Sequence, residues 1–475
     1  MNDLLILGGS AFVFALILTP LFRNLFRMLG AVDQPDQARK LHSRPVPHLG
    51  GIPILVACLA SFLVLAHVGN RGISNLPLLV KIAPAAAVIF VFGVLDDLLK
   101  LNPLEKLGAQ VIAGVMAYSA GVQIFGFGTF TLPAWLDLPA TILWLILCTN
   151  AFNLIDGLDG LAAGVGLFAT ATTLIAALIA HNLDLALATA PLVGALIGFL
   201  RYNFNPATIF LGDSGSLLIG FLLGCFGVFW SQKSYTILGM TAPLMALSIP
   251  MLDAALAVVR RFLRKRPIME GDRGHIHHRL LDRGLSPRKA VLLLYSLCGV
   301  GAVFSLFSSL NANHYAALAV LIFCGVAWIG IQNLGYAEFG EARRMILAGG
   351  FRAALNAQLS LQALCQSLNE SNSTEESWGV LCAGLDQFGF TEIQWSSGDT
   401  RYQQVITKIT GNATWELRIP LTGRDYVELK RLTEAPLLHL NIGTLAEALR
   451  SSLVKSEPAS QPHNESFVAA SIHAA

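Results

Sequence analysis

Long apolar runs, each near the ~20 residues that cross a bilayer as a helix, recur along this chain from Leu4 to about Gln332 with short polar connections between them. They lie near residues 4–22, 50–68, 79–99, 106–125, 139–155, 160–180, 184–202, 213–230, 236–262, 289–309 and 314–333. Only a short polar turn parts the fifth from the sixth. Beyond Ala337 the pattern becomes that of a soluble segment. Glu341 to Leu368 reads as a helix, TEIQWSS and WELRIPL alternate like strands, GRDYVELKR is placed to pair with the second of them, and NIGTLAEALRSSL closes the segment as a helix. The expected fold is an all-α polytopic membrane protein of about eleven transmembrane helices with a small C-terminal cytoplasmic α+β domain. The expected boundaries are 1–335 for the membrane part, 336–455 for the α+β domain and 456–475 for a disordered tail.

Composition supports the membrane assignment. The 475 residues are 54% hydrophobic and only 13% charged, against about 25% charged in soluble chains. A net charge of +2 without a basic and aromatic stripe excludes nucleic acid as a partner. The chain has no GxxxxGK[ST] phosphate loop, which argues against an ATP-driven pump. Of seven cysteines, Cys58, Cys148, Cys225, Cys298 and Cys324 lie in apolar runs and Cys365 and Cys382 in the tail, with no CxxC, so they read as small core residues. No basic residue precedes the first apolar run and Arg23 and Arg27 follow it, as in a retained span whose N-terminus lies outside.

Counted from that end, the cytoplasmic connections hold Arg39, Lys40, Arg44, Lys100, Lys106, Arg201 and the cluster Arg260, Arg261, Arg264, Lys265 and Arg266. The opposite connections hold little beyond Arg71, Lys81 and Lys233, in keeping with the positive-inside rule. The same count brings five polar clusters to the cytoplasmic face: RKLHSRPVPHLGG (39–51), GVLDDLLKLNPLEK (93–106), NAFNLIDGLDG (150–160), RYNFNPATIFLGDSGS (201–216) and GDRGHIHHRLLDRG (271–284).

A charge within a span costs about 3 kcal/mol on insertion scales and so needs a reason. Asp96 and Asp97 either cap a span or are compensated by a cation or proton. Asn153, Asp156 and Asp159 are spaced by three, so they share one face if the helix continues; helix termination is the plainer reading. Asp213, ahead of Ser214 and Gly215, suits both a cation ligand and an N-cap. His275, His277, His278 and Arg279 suit phosphate binding, with a solvated loop as the alternative. Zinc fits them poorly, because HxHH spacing on so short a loop gives poor tetrahedral geometry and no thiolate is near. Arg39, Lys40, His42 and Arg44 either bind substrate or serve only as topological charges.

Carboxylates, carboxamides, Lys, His and Arg together are the groups that handle a diphosphate with a hard divalent metal. Mg²⁺ takes few protein oxygens beside phosphate oxygens, which suits Asp213 and Asn153 as ligands, with Mn²⁺ as the alternative ion. Basic groups then neutralise the remaining oxygens during phosphoryl transfer. A site at the membrane surface reaches one lipid and one water-soluble substrate, so the chemistry points to a transferase acting on a lipid phosphate. A secondary transporter would carry its ionisable groups near the midplane on broken helices, and a non-catalytic scaffold would have lost motif residues.

LDD (95–97), NAFNLIDGLDGLA (150–162), NFNPATIFLGDSGSLLIG (203–220) and GHIHHRLL (274–281) resemble, in order, spacing and side, the polyprenyl-phosphate N-acetylhexosamine-1-phosphate transferases over about residues 1–335. HIHHR makes the WecA/TagO-like branch the closer match than the muropeptide translocases. Those enzymes start O-antigen, enterobacterial common antigen or teichoic acid linkage on undecaprenyl phosphate. The resemblance implies attack of the lipid phosphate on the β-phosphorus of a UDP-N-acetylhexosamine, GlcNAc by default with GalNAc, QuiNAc and FucNAc open, releasing UMP. A covalent aspartyl-phosphate intermediate is the rival to direct attack.

Carried over, Asp213 and Asn153 are the expected Mg²⁺ ligands, Asp96 and Asp97 the catalytic acidic pair, and Lys106 a contact to the lipid phosphate. Asp156 and Asp159 shape the nucleotide pocket, Asn203 contacts the diphosphate, and His275, His277, His278 and Arg279 hold phosphate or sugar. The implied setting is the bacterial cytoplasmic membrane, with site and tail facing the cytoplasm. The expected partners are undecaprenyl phosphate, the UDP-sugar, the membrane and a cytoplasmic protein or ligand for the tail domain, itself loosely similar to a GAF-type module; a homodimer stays open.

Overall fold

The computed structural model describes residues 2–34, 45–68, 77–127, 130–232, 247–263, 274–310, 350–371, 373–398, 400–406, 413–433 and 442–454, together with 322 and 325. The chain divides into two compact units, Met1–Tyr336 and Ala337–Ala475.

In the first unit the apolar runs form α1 (Asn2–Met28), α2 (Gly51–Val68), α3 (Pro77–Leu99), α4 (Pro103–Ser119), α5 (Ala134–Leu154), α6 (Leu161–Ile179), α7 (Leu183–Asn203) and α8 (Gly212–Gln232). They are followed by α9 (Ser248–Leu263), the short α10 (Ile276–Asp282) and α11 (Pro287–Leu310). Two small hairpins, β1 (Val32–Asp33) with β2 (Val46–Pro47) and β3 (Gly126–Phe127) with β4 (Phe130–Thr131), sit in the connections.

Eight helices among the described residues are long and apolar enough to cross a membrane: α1–α3, α5–α8 and α11. The sequence count is about eleven. The expected span at 106–125 is a 17-residue helix that stops at Ser119. The one at 236–262 is described only from Leu247, where a 16-residue helix begins at Ser248, and that at 314–333 lies almost wholly outside the described residues, as do Arg39, Lys40, His42, Arg44, Arg264, Lys265 and Arg266 and the tail from 456.

Packing is uneven across the spans. Most of α7 and α8 is enclosed by neighbours, whereas α1 leaves Leu5, Val13, Ile17 and Leu21 exposed, an apolar outer surface suited to lipid. The start of α4 is fixed by a capping box, with Asn102 accepting from Leu104 N–H and Glu105 reaching back to Asn102 N–H. That box holds Lys106 in the first turn of the helix.

The second unit contains α12 (Gly350–Glu370), α13 (Thr374–Asp386), β5 (Glu392–Ser397), β6 (Thr400–Val405), β7 (Thr414–Pro420), β8 (Tyr426–Leu432) and α14 (Ile442–Leu453). Its four strands are antiparallel in the order β6-β5-β8-β7. Alternate residues Ile393, Trp395, Leu417, Ile419, Val427 and Leu429 bury one face against Leu361, Leu364, Leu381, Leu385, Leu445 and Leu449 of the helices. The expected pairing of GRDYVELKR with WELRIPL holds, with Leu417 opposite Leu429. The strand at 400–405 and helix α13 are additions to the sequence reading.

Candidate active site

The described parts of the polar clusters meet at one end of the first unit, because each stands at the end of its helix that faces the same way. The β2–α2 connection lies alongside the chain entering α8: Phe210 N–H donates to Pro47 O (2.7 Å), Gly50 N–H to Phe210 O (3.0 Å) and Gly51 N–H to Leu211 O (3.1 Å). Gly212 then turns the chain with φ +74°, a left-handed conformation that a glycine adopts without strain.

Asp97, at the end of α3, accepts from the backbone N–H groups of Asp213 (2.8 Å) and Ser214 (2.9 Å). A helix start leaves such donors without partners, so α8 is capped by a side chain from another helix. The capping role that the sequence allowed to Asp213 falls to Asp97. Asp213 is thereby left to face other groups: Lys106 Nζ lies 3.0 Å from its Oδ2, and Asn153 Nδ2 donates to its Oδ1 at 2.8 Å. Lys106 also pairs with Asp96, whose Oδ1 accepts from Leu101 N–H at 2.8 Å. The adjacent carboxylates of the LDD motif therefore do different work.

Helix α5 ends at Leu154, so Asn153, Asp156 and Asp159 do not share a helix face. Asp159 instead accepts from Asn205 Nδ2 and Ala207 N–H, both at 2.9 Å, and so shapes the connection between α7 and α8. Asn203 donates to Ile209 O at 2.9 Å in the same connection. Arg288 fixes its outer side by donating from Nε to Asn205 O at 3.0 Å.

Asp156, Asp159, Asn203, Asp213 and His278 all border one cavity of about 360 Å³, with Asp33 and His48. The carboxyl of Asp156 is pushed well above the ordinary range by burial and then by the negative charges of Asp213, Asp97 and Asp159. A raised folded-state value means that ionisation weakens the fold: the stabilisation is complete below the ordinary carboxylate range and is lost as pH rises through the raised value. Asp156→Asn is accordingly expected to raise the unfolding temperature of metal-free protein at alkaline pH, with the gain closing as pH falls below the ordinary range. Equal gains at both ends of a pH series of thermal unfolding would contradict this.

The histidine loop is divided by the fold. His278 reaches the cavity, His275 is held by Asp253 of α9, and His277 is buried between them. Burial, then the neighbouring His278, lowers the His277 imidazole to about 4. Arg279 donates its N–H to His275 O within α10 and does not border the cavity. Among the described residues no three His, Cys, Asp or Glu side chains are grouped as metal ligands. Asp33, Ser216 and Asp253 are site neighbours that the sequence reading passed over; the signal for Asp253 is a lone carboxylate in an apolar run, seven residues before Arg260.

The donors suit a hard cation bound by few protein oxygens. Asn153 spends its Nδ2 on Asp213 and on Ser216 Oγ (2.8 Å), which leaves its carbonyl oxygen for a cation beside the Asp213 carboxylate. The carboxyl groups of Asp96, Asp97, Asp156, Asp159 and Asp213 gather about Lys106 and the cavity, oxygen donors of the kind that a hard divalent ion accepts.

Fold and site together define a polytopic membrane protein with a polar, carboxylate-rich site at the ends of its helices. Glycosyl transferase family 4 matches residues 79–231, from α3 through α8. The chain is 36% identical over 296 residues to the probable undecaprenyl-phosphate N-acetylglucosaminyl 1-phosphate transferase of Bacillus subtilis, covering 61% of this chain and 80% of that protein. It is 32% identical to the decaprenyl-phosphate N-acetylglucosaminephosphotransferase of Mycobacterium tuberculosis H37Rv, covering 69% and 88%. It is 28% identical to the undecaprenyl-phosphate alpha-N-acetylglucosaminyl 1-phosphate transferase of Thermotoga maritima, covering 62% and 86%. The chain belongs to this family of polyprenyl-phosphate N-acetylhexosamine-1-phosphate transferases, in its WecA/TagO-like branch.

Proposed function

We propose that this protein transfers N-acetylhexosamine-1-phosphate, GlcNAc-1-phosphate first among the candidates, from a UDP-sugar to undecaprenyl phosphate at the cytoplasmic face of the bacterial membrane, releasing UMP. The observation that carries this reading is the contact set Asp96–Lys106–Asp213–Asn153 beside the 360 Å³ cavity, which provides a phosphate-binding cation and metal-type oxygens at one point. Family membership supports the same chemistry.

In this reading Asp213 and Asn153 hold Mg²⁺, or Mn²⁺ in its place, and the ion when bound neutralises diphosphate oxygens. Lys106 draws the lipid phosphate to the Asp96 side of the site, and Asp96 removes its residual proton. A phosphate oxygen forms the new bond to the β-phosphorus of the UDP-sugar as the bond to UMP breaks. Asp97 holds α8, and with it Asp213, in register. Asp156, Asp159, Asn203 and His278 line the nucleotide-sugar side, with His275, His277 and Arg279 supporting that wall. The anionic lipid phosphate is already a nucleophile and chiefly needs orientation, which favours direct attack. Inversion at the β-phosphorus is then required; retention would establish the covalent route.

The α+β unit serves as a module for a cytoplasmic partner or ligand, and a homodimer is compatible with the exposed apolar surface. The test is UMP release from a UDP-sugar panel by purified protein with Mg²⁺ and undecaprenyl phosphate. Release is expected with UDP-GlcNAc and to cease with EDTA. Folded protein that releases no UMP with any sugar would reject the transferase.

A further inference from the structure

Asp253 is a carboxylate in the otherwise apolar stretch SIPMLDAALAVV of α9 and is 1% exposed. Burying such a charge is costly unless its oxygens are hydrogen-bonded. Both of them are. Oδ2 lies 2.9 Å from His275 Nδ1, and Oδ1 accepts from the N–H of Ile276, the first residue of α10, at 2.8 Å. A carboxylate only accepts, so this contact puts a proton on Nδ1 of His275 and determines the ring's tautomer.

The effect extends beyond His275. Its ring lies parallel to that of His277, with 5.8 Å between centroids and 4° between planes, and His277 is 4.3 Å from His278. At its other edge His277 presses on Gly157, where a Cβ would stand 2.4 Å from Nε2, so the row of rings has no room to slide forward. Arg260 packs behind the loop, with its Nε 2.5 Å from where a Gly274 Cβ would be. Asp253 and Arg260 are seven residues apart and thus on one face of α9.

We infer that Asp253 is a positioning residue for the transfer reaction: through His275 and the first N–H of α10 it fixes the row of histidine rings and so sets where His278 enters the cavity. The inference rests on the function proposed above. It gives α9 a part in the nucleotide-sugar side of the site.

The test uses full-length protein in detergent, undecaprenyl phosphate, Mg²⁺ and a UDP-sugar that the wild type turns over. Asp253→Asn keeps the shape, but with its oxygen on Ile276 N–H it presents an amide donor to Nδ1 and reverses the tautomer. Its kcat is expected to fall about 10- to 100-fold, as when the group orienting a functional histidine is lost, with KM for the lipid phosphate and the unfolding temperature unchanged. In a His275→Gln background the same change should cost no more than about twofold, the non-additivity of residues acting through one another.

Wild-type kcat in Asp253→Asn, or its full penalty repeated in the His275→Gln background, overturns the proposal. If Asp253→Asn gives no folded protein, Asp253→Glu is put through the same pair of backgrounds with the same criterion. Loss of folded protein in both makes Asp253 a folding residue and overturns the proposal too. A wild type that releases no UMP defeats the transferase reading, whereas an active wild type with an indifferent variant defeats only this one.

Discussion

Asp213→Asn should lower UMP release by about 10³-fold or more, the scale on which loss of a charge-stabilising group acts at a phosphoryl or acyl centre. The expectation follows from how much meets at this carboxylate: Lys106 Nζ at 3.0 Å on one oxygen and Asn153 Nδ2 at 2.8 Å on the other. An amide fits the same space but removes the negative charge that a cation requires. The fold should be spared, because the N–H groups of residues 213 and 214 are held by Asp97 and not by the Asp213 side chain. Activity is read as UMP release and integrity as the unfolding temperature. Near-wild-type release from the variant removes Asp213 from the site.

The second large effect is expected from Gly212→Ala. The added methyl would lie 1.8 Å from His48 O and 2.8 Å from Asp97 Oδ2, and φ at this position is +74°. A left-handed alanine costs about 1 kcal/mol, and relieving overlap with a backbone carbonyl costs about 1–3 kcal/mol more. A loss of about 3 kcal/mol, obtained by adding these contributions, should appear as a clear fall in unfolding temperature. Most turnover should go with it, since the displaced groups are the cap of α8 and the chain leading to Asp213. An unchanged unfolding temperature would mean that this turn relaxes without disturbing α3 or α2.

The sequence announces the membrane helices and the side on which the polar groups gather, because apolar length and charge asymmetry are local properties. It also brings Asp213, Asn153, Lys106 and Asp96 to one neighbourhood. It does not disclose how LDD divides. Two adjacent aspartates look alike in sequence, and only the approach of α8 shows that Asp97 takes its N–H groups while Asp96 takes Lys106. The spacing of Asn153, Asp156 and Asp159 misleads for a related reason: helix α5 stops at Leu154, so a helical period no longer applies. Asp253 shows only as a lone carboxylate in an apolar run, with nothing to point to His275 22 residues on, and Arg260 and Arg261 read as topological charges although both are buried. In the second unit β6 is missed because Thr400–Val405 is an edge strand with most of its residues exposed, so burial imposes no alternation on it.

The cap of α8 by Asp97 also has a consequence for biosynthesis. Asp97 is translated more than a hundred residues before the two N–H groups that it binds. Until Gly212 has emerged from the ribosome, the nascent chain carries the LDD carboxylates at the end of an inserted helix without the partner that occupies one of them. Helix α8 thus brings both the partner of Asp97 and Asp213 itself, and the cavity wall is complete only once α10 has added His278.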